Sequence, residues 1–135
     1  MIYEFSVLGS AATKGSTRSF VSHSTRKVVT IADNRRLPEF TKLIQIAAKW
    51  ARVKLTPKPH PVTMSITWTF IRPKREQKRP HHTVKPDIDK LERAVLDALT
   101  GIAYDDDAQV TTVVKHKQYG DEERTDITVR NEVEA

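Results

Sequence analysis

The 135-residue chain contains no cysteine. That excludes disulfides, cysteine zinc sites and thiol nucleophiles, and it is compatible with a reducing cytoplasm, the compartment expected here. No apolar run approaches the ~18 residues a membrane span needs. Met1 to Leu8 alternate around Glu4 and do not read as a signal peptide, so no membrane partner is expected. Hydrophobic residues make up only 38% of the chain, yet two Trp, four Phe and clearly periodic segments argue against disorder. Acids are scarce in one half only. Residues 1–86 hold four Asp/Glu against 17 Lys/Arg, while residues 87–135 hold 13 against six. The formal net charge of +6 therefore joins a segment of +13 to one of −7 at Pro86–Asp87. Such asymmetry suggests polyanion binding, an acidic site, or both.

Periodicity places the elements. Ile2 to Leu8 alternates as a strand, with Tyr3, Phe5 and Val7 on one side. Gly9 to Ser19 reads as a polar, basic loop carrying Lys14 and Arg18. Ser19–His23 and Lys27–Ala32 are β-prone runs around Ser24, Thr25 and Arg26, a candidate hairpin. Phe40, Leu43, Ile44, Ala47, Trp50 and Ala51 recur at helical spacing and predict a helix over Pro38–Val53. Pro38 is tolerated in its first turn, and Lys58 between Pro57 and Pro59 marks a rigid connector. Val62–Ile71 is the clearest strand. Arg72–Pro86 then interrupts, with Arg72, Lys74, Arg75, Lys78, Arg79 and Lys85 against Glu76 alone and three prolines opposing regular structure. Asp89–Leu99 reads as a second helix, with Asp89 and Glu92 at capping-box spacing and Gly101 as its stop. Strands over Val110–Tyr119 and Asp126–Val133 complete the order β-β-β-α-β-α-β-β. No repeat or second core appears, so the expectation is one α+β domain over residues 1–135, a mixed sheet with two main helices.

The chemistry concentrates around the second helix. Asp87 and Asp89 enter it; Asp105, Asp106 and Asp107 follow it. A helix of this length spans roughly 20 Å, so the two groups meet only if the chain folds back after Gly101. If it does, the carboxylates offer hard oxygen ligands to an ion such as Mg²⁺, which needs few of them. A metal there can activate water and neutralise charge on a phosphate. The six cations between Arg72 and Lys85 would hold a polyanion beside it. Acid cluster and basic loop side by side are what a metal-dependent nuclease requires. Plainer readings stand beside this one. Asp89 fits a helix cap. Asp89, Arg93 and Asp97 stack four residues apart as surface ion pairs. Three successive aspartates fit a solvated turn. Gly9…Lys14-Gly15-Ser16 inverts the Gly-Lys order of a P-loop, which excludes nucleotide hydrolysis there. His23, His60, His81, His82 and His116 show no metal spacing, and His81 and His82 read as ordinary polar residues of the basic loop.

Three blocks carry a resemblance: Lys85-Pro86-Asp87-Ile88-Asp89-Lys90-Leu91, Asp97-Ala98-Leu99-Thr100-Gly101 and Asp106-Asp107-Ala108-Gln109-Val110. In order and separation they resemble the RusA family of Holliday junction resolvases, common in bacteria and phages. The resemblance implies a small homodimeric endonuclease with an acidic Mg²⁺ site in each subunit, Mn²⁺ being a substitute, that nicks a four-way DNA junction symmetrically. It implies Asp87, Asp89 and Asp107 as the essential metal-binding carboxylates and Asp106 as an accessory neighbour. Arg93 stands where the family has a functional lysine, and Lys90 where it has asparagine. Arginine keeps the charge but does not give up a proton. Lys14, Arg18, Lys90 and the cations of the basic loop are the candidate DNA contacts. The competing readings are a branched-DNA-binding module without nuclease activity and a general nuclease for flaps or single strands.

Overall fold

A computed structural model of the chain describes residues 1–15, 17–21, 26–32 and 35–132, without the side chains of 17–21 and 28–32. Six strands and two main helices follow the expected order: β1 (Ile2–Leu8), β2 (Thr17–Val21), β3 (Val28–Ala32), α1 (Leu37–Trp50), β4 (Val62–Phe70), α2 (Ile88–Leu99), β5 (Val110–Tyr119) and β6 (Arg124–Asn131). Four strands form a mixed sheet in the order β1-β6-β4-β5. β6 is antiparallel to both β1 and β4, while β4 and β5 run parallel because α2 crosses between them. β2 and β3 pair apart as the expected hairpin. His23, Ser24 and Thr25 lie outside the described residues, as does Val133 at the expected end of the last strand. That strand begins two residues earlier than the alternation suggested, because Arg124 already pairs with Leu8 and Thr69.

Alternation sets which face is covered. Tyr3, Phe5 and Val7 of β1, Val62, Met64, Ile66 and Trp68 of β4, and Ile127 and Val129 of β6 are buried in one core. Phe40, Ile44 and Ala48 of α1 and Leu91, Ala94, Val95, Ala98 and Leu99 of α2 close over it. Trp68 and Phe40 alone contribute about 150–250 Å² of buried aromatic surface each. The outer half of the α1 stripe stays out of this core: Trp50, expected inside, is 84% exposed. Among the described residues, the part of that stripe facing β1 and α2 is the part that finds a partner.

β5 is an edge strand, and its inward row leaves the core after Val113, which packs against it opposite Met64. Lys115 and Lys117 stand opposite Ile66 and Trp68, with Tyr119 opposite Phe70. Residues in register on one row share a face of the sheet. The helix-facing row of β5 therefore carries cations next to the amino-terminal end of α2.

Candidate active site

α2 begins at Ile88, which makes Asp87 rather than Asp89 the N-cap residue. The capping-box reading of Asp89 and Glu92 is thereby corrected. Asp87 makes no side-chain cap bond, and Glu92 instead pairs with Lys115 of β5 at 3.0 Å. Both Asp87 and Asp89 are exposed. They line a cleft of about 930 Å³ together with His82, Lys85 and Lys117. Among the described residues, Asp87 pairs with Lys90 at 3.8 Å. Two carboxylates at a helix amino terminus sit where the backbone N–H groups favour negative charge.

Lys117 shapes this cleft. Its Nζ donates to the carbonyls of Val84 at 2.8 Å and Pro86 at 2.9 Å. The two acceptors belong to the residues just before Asp87, so a β5 side chain fixes the backbone that delivers the carboxylate. Sequence reading missed Lys117. The signal available was its phase: lysines at alternate positions of β5, in step with inward residues of β4.

The basic loop is folded rather than loose. Lys74–Glu76 form a 3₁₀ turn. The Arg72 guanidinium lies 4.9 Å from the centre of the Tyr119 ring. Arg79 bonds the Tyr119 hydroxyl at 3.5 Å and Glu76 at 3.2 Å. His82 is buried and stacks on Phe70 with ring centres 4.2 Å apart, which corrects its reading as an ordinary loop residue. Burial first, then Lys117 and Arg79, lower its pKa below the usual imidazole value. Lys74, Arg75, Lys78 and Lys85 remain exposed and make no ion pair with a described residue.

The amino-terminal loop docks on α2. The Lys14 amide donates to the Lys90 carbonyl at 3.0 Å. The Lys14 ammonium pairs with Asp97, which replaces the expected pairing of Asp97 with Arg93. Gly15 has a left-handed backbone (φ +97), and the Arg93 guanidinium occupies the space a side chain at this position would take. Arg93 is exposed and lies across that glycine. Arg18 lies in β2, its side chain outside the described set.

Asp105–Asp107 form a different locality. Asp106 caps a 3₁₀ turn over Asp107–Gln109, accepting from the Ala108 amide at 2.9 Å. That bond, with Lys58 at 3.7 Å, lowers the Asp106 pKa. Gln109 is buried and fully bonded. Its Oε1 accepts from the Asp105 and Asp106 amides, and its Nε2 donates to the Thr56 and His60 carbonyls. Asp107 is exposed. Together with Asp97 it adds to the burial that raises the pKa of Tyr104, whose hydroxyl donates to the Leu96 carbonyl. The triplet thus sits toward the carboxyl-terminal end of α2, a helix of about 18 Å. It also precedes β5, whereas Lys117 lies seven residues into that strand. The fold-back expected after Gly101 does not unite the two acid groups within one copy of the chain. Among the described residues no three His, Asp or Glu side chains gather to hold a metal, and no helix is long and apolar enough to cross a membrane.

The family model described as Endodeoxyribonuclease RusA matches residues 12–130 of the 135. No curated protein matches the chain. The match takes in all three acidic motif blocks and the loop around Gly15, and the chain belongs to the RusA family of endodeoxyribonucleases.

Proposed function

We propose that this RusA-family endodeoxyribonuclease is a Mg²⁺-dependent, structure-selective enzyme that resolves four-way DNA junctions as a homodimer, by paired symmetric nicks. The observation carrying this reading is the cleft at the start of α2, where Asp87 and Asp89 face Lys117 and the cation-rich loop. The donor set fits the ion. Mg²⁺ is commonly held by one or two carboxylates, with waters and substrate phosphates completing its shell. Asp87 and Asp89 would hold it, and neither is engaged by a cap bond. When bound, such an ion lowers the pKa of water and neutralises charge on the scissile phosphate.

The remaining work falls to side chains of the chain itself. Lys74, Arg75, Lys78 and Lys85 contact phosphates, which positions the duplex without reading sequence. Lys90 and Arg93, on the first turns of α2, add positive charge beside the carboxylates. Arg93 acts through its charge and its planar fork, since a guanidinium does not release a proton. Asp107 joins the site from a second copy: with the two acid groups near opposite ends of α2, a twofold axis can bring Asp107 of one protomer to Asp87 and Asp89 of the other. Asp106 supports that arrangement as the cap of the turn carrying Asp107.

The test is a synthetic four-way junction with Mg²⁺ and mapped products. Paired symmetric nicks are expected. Asp89→Asn and Asp107→Asn each abolish them, and mixing the two variants restores nicking at the one site per mixed dimer that keeps both aspartates. Binding without nicking by the wild-type protein would make it a junction-binding module, and scattered cuts in linear or flap DNA a general nuclease. Inactive mixtures would refute the contribution of Asp107 from a second copy.

A further inference from the structure

α1 leaves part of its apolar stripe uncovered. Leu43, Ile46 and Trp50 are 39%, 49% and 84% exposed, which makes Trp50 the most exposed large hydrophobic side chain described. The three lie at helical spacing on one face. Lys42 and Lys49 border that face, and a left-handed residue at Arg52 (φ 59) turns the chain, so Arg52 and Lys54 follow Trp50 closely. All four cations are exposed, and none makes an ion pair with a described residue. The single acid of the helix, Glu39, lies eleven residues before Trp50, about 16 Å along the axis.

An exposed indole among unpaired cations is the combination that binds unpaired nucleic acid. Every base offers a π face for stacking, and the cations follow the phosphates. We infer that the Trp50 end of α1 is a second DNA-contact surface, where an unstacked base lies on the indole while Lys49, Arg52 and Lys54 hold the adjoining phosphates. This rests on the reading that the chain acts on branched DNA, where opening of the crossover would supply such bases. The surface is separate from the basic loop. Thr56 bonds Ala103 next to the acid triplet, before β4 begins, whereas the basic loop follows the end of β4, a strand of about 30 Å. A second protein copy fits this face less well. Two such faces would set Lys42 and Lys49 of one copy against those of the other. Three side chains also fall short of the roughly 800 Å² per partner that a stable interface buries.

The two tryptophans make the test direct, because Trp68 is fully buried and Trp50 is not. The full-length protein is titrated with a twelve-nucleotide thymidine oligomer in EDTA, and tryptophan emission is followed. Saturable quenching that weakens with salt is expected, and Trp50→Phe removes it while the blue-shifted Trp68 emission remains. Trp50→Ala lowers affinity for a four-way junction about tenfold and leaves binding of blunt duplex within twofold. Asp89→Asn leaves the quenching intact, which separates this surface from the nuclease site. Absence of quenching in a protein that cleaves junctions overturns the inference and spares the nuclease reading; quenching without cleavage does the reverse. A blue shift of Trp50 emission with rising protein concentration, without DNA, also overturns it and assigns the face to a second copy.

Discussion

Lys117→Met isolates the contact that presents Asp87. Methionine keeps an unbranched apolar stem and removes the ammonium, so two bonds are lost, to Val84 at 2.8 Å and Pro86 at 2.9 Å. A hydrogen bond from a charged donor contributes about 1.5–3 kcal/mol. The Val84 carbonyl is exposed and the Pro86 bond partly buried, so water recovers part of the loss. We take roughly 2–3 kcal/mol for the pair. That shifts an equilibrium between fixed and released backbone ahead of Asp87 by about 30- to 150-fold. The assay is single-turnover cleavage of a four-way junction at saturating Mg²⁺, paired with tryptic digestion of the Lys74–Lys85 segment. Cleavage should fall at least tenfold and digestion accelerate, since proteolysis follows the open population when reclosing is fast. Junction affinity should fall only about threefold, as one positive charge is lost. Lys117→Arg, which keeps a donor, should recover most of the activity. A methionine variant cleaving within twofold of wild type, with unchanged tryptic half-life, would refute the positioning role.

Gly15→Ala sets a methyl against the Arg93 guanidinium on a backbone at φ +97; the arginine must move aside, and about 1–2 kcal/mol of stability should be lost in denaturant unfolding, together with junction cleavage. Gly9→Ala, at φ +101 with nothing within 4 Å, should lose stability but keep cleavage per folded molecule. His82, with its lowered folded pKa, takes up its proton more readily in the unfolded chain. Its contribution is therefore complete above the unfolded value of about 6.5 and is lost as pH falls below it. His82→Phe should flatten the decline in unfolding free energy between pH 7 and pH 5, and an unchanged slope would contradict the burial argument. Lys74→Ala with Lys78→Ala should reduce the slope of log affinity against log salt by about 1.8, at roughly 0.9 per phosphate contact; an unchanged slope would remove both from the interface.

Alternation and helical spacing, both local properties of the chain, determined the element order and the bounds of β1 and β5. Local composition likewise exposed the charge reversal at Pro86–Asp87 and the acidic blocks on either side of α2. Tertiary structure decided what those residues touch. Asp97 meets Lys14, 83 positions away in the chain. Gln109 ties the acidic turn to Thr56 and His60 across 53 and 49 residues. Lys117 reaches Val84 and Pro86 because β5 lies parallel to β4, with its edge beside the loop. The apolar stripe of α1 looked uniform in sequence, yet among the described residues only the part facing β1 and α2 is covered. The two acid groups are close in sequence and stand near opposite ends of a rigid helix. Periodicity reports the direction a side chain leaves the backbone. Which partner waits there depends on how distant segments pack, and that is set by the whole fold.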